Sequence, residues 1–140
     1  MNSRPFEEMY LSSQWLSLVQ SQQSFALTMA SMCSSEFAEL ILAETQKVIN
    51  QPPPMSPDGL ALRQRQSGAL TARVSTIAYA DSMARITPTV RSQILQATQE
   101  YCSETPVPRS ESEFQQAQHA AANFSGKVSQ ICAGSWSPQI

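Results

Sequence analysis

The sequence predicts an all-α protein: elongated amphipathic helices forming a helical hairpin or coiled-coil-like bundle of about three helices, with no sheet. Three observations carry this. Apolar residues recur at steps of three and four over long segments. Helix-start patterns, Ser56-Pro57-Asp58 and Ser110 with Glu113, open two of those segments. No alternating apolar–polar run marks a strand. At 140 residues the chain is expected to be one domain.

The first segment spans about 5–49. Pro5 suits a first helical turn, and Glu7 and Glu8 then face the positive end of the helix dipole. Leu11, Trp15, Leu18, Phe25, Met29 and Met32 form a stripe in which Gln22 fills the missing step. Beyond Cys33 the stripe runs on through Phe37, Leu40, Ile41, Glu44 and Val48, with one polar interruption. The periodicity predicts one helix, about 65 Å long at roughly 1.5 Å per residue. "QPPPMSP" stops it. Such a short proline-rich stretch reads as a stiff elbow within one helical unit, not a domain linker.

The second segment is predicted over 57–102. Leu70, Val74, Ile77 and Ala84 mark one face, widened by Leu62, Ala69, Ala80 and Met83. Pro88 lies inside the pattern. Ile86, Val90, Ile94 and Ala97 keep helical steps across it, which favours a kink near 88 over a stop and restart. The third helix is predicted over 111–132, with Phe114, Ala117, Ala121, Phe124, Val128 and Ile131 as its stripe. Residues 133–140, with Gly134 and Pro138, are expected to fray.

Charge excludes some functions. The net charge is −2, and only 14% of residues are charged. The arginines 63, 65, 73, 85 and 91 are spread out, without clustered lysines or interleaved aromatics, so no nucleic-acid partner is expected. Residues 1–58 carry two basic and six acidic groups, net −4; residues 59–102 carry five arginines and two acids, net +3. Such neighbours favour lying side by side. No apolar run is long enough for a transmembrane segment, and "MNSRPFEEMYLSS" lacks the apolar core of a secretory signal. Cys33, Cys102 and Cys132 are widely spaced and odd in number, which fits a reducing, cytoplasmic compartment and small packing residues.

Catalytic chemistry is missing. His119 is the only histidine and falls at an edge or solvent position. No HxxxH, CxxC, G-x-S-x-G, Walker A or G-x-G-x-x-G pattern occurs. "EFAE" offers Glu36 and Glu39 but not the Glu-x-x-His of a di-iron bundle. No catalytic residue, cofactor or metal is therefore expected, and the chain reads as a non-enzyme.

What remains is amphipathic surface. Leu11, Trp15, Leu18, Phe25, Met29, Met32, Phe37 and Leu40 are the candidate contact face. They form either a bundle core or an adaptable Met- and aromatic-rich face for an apolar surface or partner. A chain this elongated and this poor in large apolar residues is expected to self-associate or to coat something.

"SPDGLALRQRQSGALTARVSTIAYADSMARI" resembles the phasin pattern of an Asp or Pro, then "LLALQ", then an Ala-rich "A..A..YA..M..I/L" helix. "RSESEFQQAQHAAANFSGKVSQI" is similar to the phasin C-terminal segment, in which a serine-initiated helix leads into "AAAN" and an aromatic residue. The resemblance covers about Leu11 to Ile131. It implies a non-catalytic helical protein, homo-oligomeric and cytoplasmic, that coats the polyhydroxyalkanoate granule surface and limits granule size and coalescence. The apolar face of the first segment, or of the first and second together, would then meet the polyester. The Lys- and Ala-rich tail of many phasins is absent. The alternative function is a helical oligomerisation, adaptor or secretion-associated protein that binds a partner through the same face.

Overall fold

Serine, proline and one buried aspartate cut the helical pattern into more pieces than three. The computed structural model describes residues 4–135 and contains five helices: α1 (Arg4–Ser31), α2 (Ser35–Ile49), α3 (Pro57–Ile86), α4 (Arg91–Glu104) and α5 (Glu111–Gly134). A short 3-10 turn, Pro88–Val90, joins α3 to α4. The described residues contain no strand, in line with the all-α class. Of the tail expected to fray, residues 136–140 lie outside the described range, whereas Ala133 and Gly134 still belong to α5.

Two sequence expectations are corrected. The single helix over 5–49 is two helices, broken at Met32–Ser34. Ser34 is extended (φ −67°, ψ 157°), and its hydroxyl does not cap α2. Instead its backbone N–H and its Oγ both donate to Asp81 Oδ1, at 3.1 and 2.7 Å. Asp81 is fully buried on α3, and Arg85 Nη2 lies 2.9 Å from its second oxygen. A buried carboxylate requires such donors, and the chain supplies two of them by leaving the helix. The kink expected near Pro88 is likewise a stop and restart. The last turn of α3 closes with Thr87 N–H donating to Met83 O, and Thr87 itself is non-helical (φ −124°, ψ 72°). A residue before proline is disfavoured in the helical region, and proline has no N–H to continue the ladder.

The two predicted helix starts form as expected. Ser56 Oγ accepts from Gly59 N–H at 3.0 Å. Ser110 Oγ accepts from Glu113 N–H at 3.2 Å and donates to the Glu113 carboxylate at 3.0 Å.

Side-chain pairs fix the register around α3, which packs against all four other helices. Gln22 of α1 donates from Nε2 to Ser67 Oγ (2.5 Å) and Thr71 Oγ1 (3.1 Å), and Arg63 lies over the Trp15 ring. Numbers rise together, so α1 runs parallel to α3. On α2 they run oppositely: Glu44 pairs with Arg73, and Gln51 with Gln66. Hence α1 and α2 form an antiparallel hairpin, and the three-proline elbow closes α2 back onto α3. Gln51 Nε2 and Arg63 Nη2 clamp that elbow, the latter through Pro52 O at 3.2 Å. α4 returns antiparallel, with Tyr101 beside Arg73. α5 runs parallel to α3, through Arg65–Glu111 at one end and Tyr79–Ser129 at the other.

The −4 and +3 segments do lie side by side, joined by Arg73–Glu44 and Arg91–Glu36. One core runs between the helices. It includes Phe37 and Ile41 of α2, Val74, Ile77 and Ala80 of α3, Ile94 of α4 and Val128 of α5. Tyr101 and Phe124 stack in it at 4.7 Å, with planes 8° apart. The chain thus buries more apolar surface by itself than its elongated pattern suggested, because shortening the helices lets five of them share apolar stripes within one chain.

Gly126, exposed in the middle of α5, has no positive φ, and a methyl group there meets nothing within 4 Å. Gly126→Ala is expected to raise stability by about 0.5–1 kcal/mol, since alanine loses less backbone entropy in a helix. Urea denaturation checks it.

Candidate functional site

The hairpin sorts the expected contact face into two groups. Leu11, Trp15 and Phe37 are buried in the molecule. Leu18, Phe25, Met29 and Leu40 are half-buried, and all but Leu18 pack against the core. Only Met32, at the α1–α2 break, is exposed, at 55%. The stripe therefore faces inward and is not one continuous outer surface. The physical reason is that α2 and α3 offer it an apolar lining. Its polar steps, Gln22 and Glu44, are bonded to α3 as described above.

The opposite side of α1 is the exposed apolar surface. Met9 (69%), Leu16 (56%) and Leu27 (62%) are exposed. At 100° per residue they fall within a narrow sector of the helix. Phe6 and Tyr10 extend the surface toward the N-terminal end. Between Glu8 and Glu36 no residue is charged. The polar gaps in this face are serine, threonine and glutamine. Sequence periodicity missed it because α1 is apolar on two sides, which cancels any one-sided signal. The observation that could have found it is the uncharged run itself.

The second feature is a cavity of about 400 Å³ between α3 and α5, reaching Glu44 and Val48 of α2. Alanines 69, 72, 117 and 121 leave the space open. Two bonds hold its walls. Gln66 Nε2 donates to Pro108 O at 2.9 Å, fixing the α4–α5 loop, and Tyr79 and Ser129 bridge the helices farther along at 3.0 Å. Inside, Glu44 accepts from Arg73 Nη1 at 2.5 Å and pairs with Lys47 Nζ at 2.5 Å. One carboxylate thus serves two cations, which leaves the cluster with a net positive charge. The Arg73 guanidinium lies 5.2 Å from the Tyr101 ring centroid. Burial pushes the Tyr101 phenol above its ordinary value, against the influence of Arg73. At the exposed edge, Arg65 lies 4.1 Å over Phe114 and pairs with Glu111. Glu111 is held below the usual carboxylate range by that arginine.

Among the described residues no cluster of His, Cys, Asp or Glu could hold a metal ion. His119 is exposed. The thiols are free. Burial, with Asp81 beside it, pushes Cys33 up to about 11, and burial pushes Cys102 up to about 12. Both stay protonated at neutral pH and behave as packing groups. No described helix is long and apolar enough to cross a membrane. No family model, no curated protein and no solved structure matches the chain.

Proposed function

We propose that this chain is a non-catalytic, phasin-like coat protein of the cytoplasm. It adsorbs to the polyhydroxyalkanoate granule surface through the outer side of α1 and limits granule size and coalescence. The observation that supports this reading is the exposed Met9–Leu16–Leu27 sector on a helix without a charge between Glu8 and Glu36. Laying that side on an apolar polyester removes apolar area from water, at about 25 cal/mol per Å² before ordering costs. No buried charge opposes it, because none is present. The serine and glutamine side chains between these residues can hydrogen-bond ester oxygens. Bulky apolar side chains exposed on one helix favour self-association in the absence of polymer, so homo-oligomer and adsorbed states compete for one surface.

The contact residues differ from those first expected. Phe25 and Met29 serve the core, so their replacement tests folding and not adsorption. The informative variant is Met9→Gln/Leu16→Gln/Leu27→Gln. It is expected to lower retention on polyhydroxybutyrate particles by at least tenfold while circular dichroism stays unchanged. Hydrophilic beads serve as the control. Equal retention of the native protein on particles and beads, or full retention of the triple variant, would overturn the reading.

A further inference from the structure

We infer that the cavity between α3 and α5 is a binding site for a small monocarboxylate with an apolar body. Its size, about 400 Å³, lies within the roughly 300–1,000 Å³ range of small-molecule sites. Its lining has two characters. Val48, Leu70, Val107 and Phe114, with the four alanines, give it apolar walls. Arg65 and Arg73 bring cationic groups to it, one at the exposed edge and one inside.

The only carboxylate in the lining is Glu44, and both its oxygens are taken by Lys47 and Arg73. An amine entering the cavity finds no free anion inside it, and the Glu111 carboxylate at the exposed edge is already held by Arg65. An alcohol finds apolar contact and neutral-oxygen hydrogen bonds, but no charge–charge attraction. A carboxylate finds apolar contact together with guanidinium groups, whose planar forks suit it. Arg65 already spans this chemistry. Its guanidinium lies over the Phe114 ring and binds an exposed carboxylate, that of Glu111. An incoming carboxylate competes with Glu111 for the same donors. The space is preformed, because the Gln66–Pro108 and Tyr79–Ser129 bonds fix the α4–α5 loop and the two helices around it. Gly68 stands at the exposed edge, where an added Cβ meets no atom within 4 Å. A larger side chain there obstructs the entrance without disturbing the core. The site is separate from the outer side of α1 and does not depend on the coat-protein reading.

The test is methyl-detected NMR on the whole chain, titrated at neutral pH with octanoate, octanol and octylamine. Octanoate is expected to shift the methyls of Val48, Val107, Ala117 and Ala121, and to bind about tenfold tighter than octanol, the gain of one charge-assisted contact at a partly exposed position. Octylamine is expected to leave them unmoved. Arg65→Gln should bring octanoate down to the level of octanol. Gly68→Leu should weaken both by at least tenfold, while Gly126→Leu, an equivalent change on α5 away from the cavity, weakens neither. Absence of shifts with octanoate, equal affinity for octanoate and octanol in the native chain, or binding undiminished in Gly68→Leu would each overturn the inference.

Discussion

Phe37→Ala is expected to lower stability by about 3–5 kcal/mol, a large part of the roughly 5–15 kcal/mol that holds a domain folded. Phe37 has no exposed surface and sits in the core with Ile41, Val74 and Ile77. Removing the ring leaves a cavity among helices already held by bonds at their ends, so collapse is restricted. Met32→Ala, on the same predicted stripe but exposed, is expected to change stability by less than about 0.5 kcal/mol. Paired urea titrations separate the two. Equal effects would show that the stripe is not divided into an inward part and an exposed end.

Arg73→Met is expected to cost about 3 kcal/mol, and most of that cost should disappear in the double variant Glu44→Leu/Arg73→Met. The pair is almost dry: the side chains are 10% and 3% exposed. Removing the arginine alone leaves a buried carboxylate with only Lys47, whose side chain is half exposed. Replacing both ions by apolar groups of similar volume removes the unpaired charge, and such exchanges are often neutral or stabilising. Chemical denaturation of the single and double variants gives the coupling directly. Additive losses would contradict the shared burial of the two groups.

Much of the fold is legible in the residue pattern. The α5 stripe, the caps at Ser56 and Ser110 and the elbow at the prolines follow from local chemistry, and each forms in the structure, whereas the closing of that elbow onto α3 is set by tertiary contacts such as Gln51 with Gln66. The break at Met32–Ser34 is not legible, because apolar steps continue across it without a change of phase. Its cause is Asp81, far away in sequence, which draws Ser34 out of helical geometry. The stop at Pro88 was masked in the same way. Ile86 keeps the step to Val90, yet it is exposed and takes no part in the core.

The candidate sites divide along the same line. Glu44 and Gln22 were visible as polar residues at core positions of a stripe, but their partners Arg73, Ser67 and Thr71 lie on another helix. The cavity rests on alanines that look like ordinary helix-formers until two helices are set face to face. By itself the sequence determined the all-α class, the helix starts and the lack of charge along α1, because these depend on backbone propensity, capping and composition within a few residues. Only the tertiary structure decided which side of α1 is covered, where the long first segment breaks, and that Arg73 and Glu44 pair in the interior. Those outcomes depend on desolvation, which no residue undergoes until its neighbours from distant segments arrive.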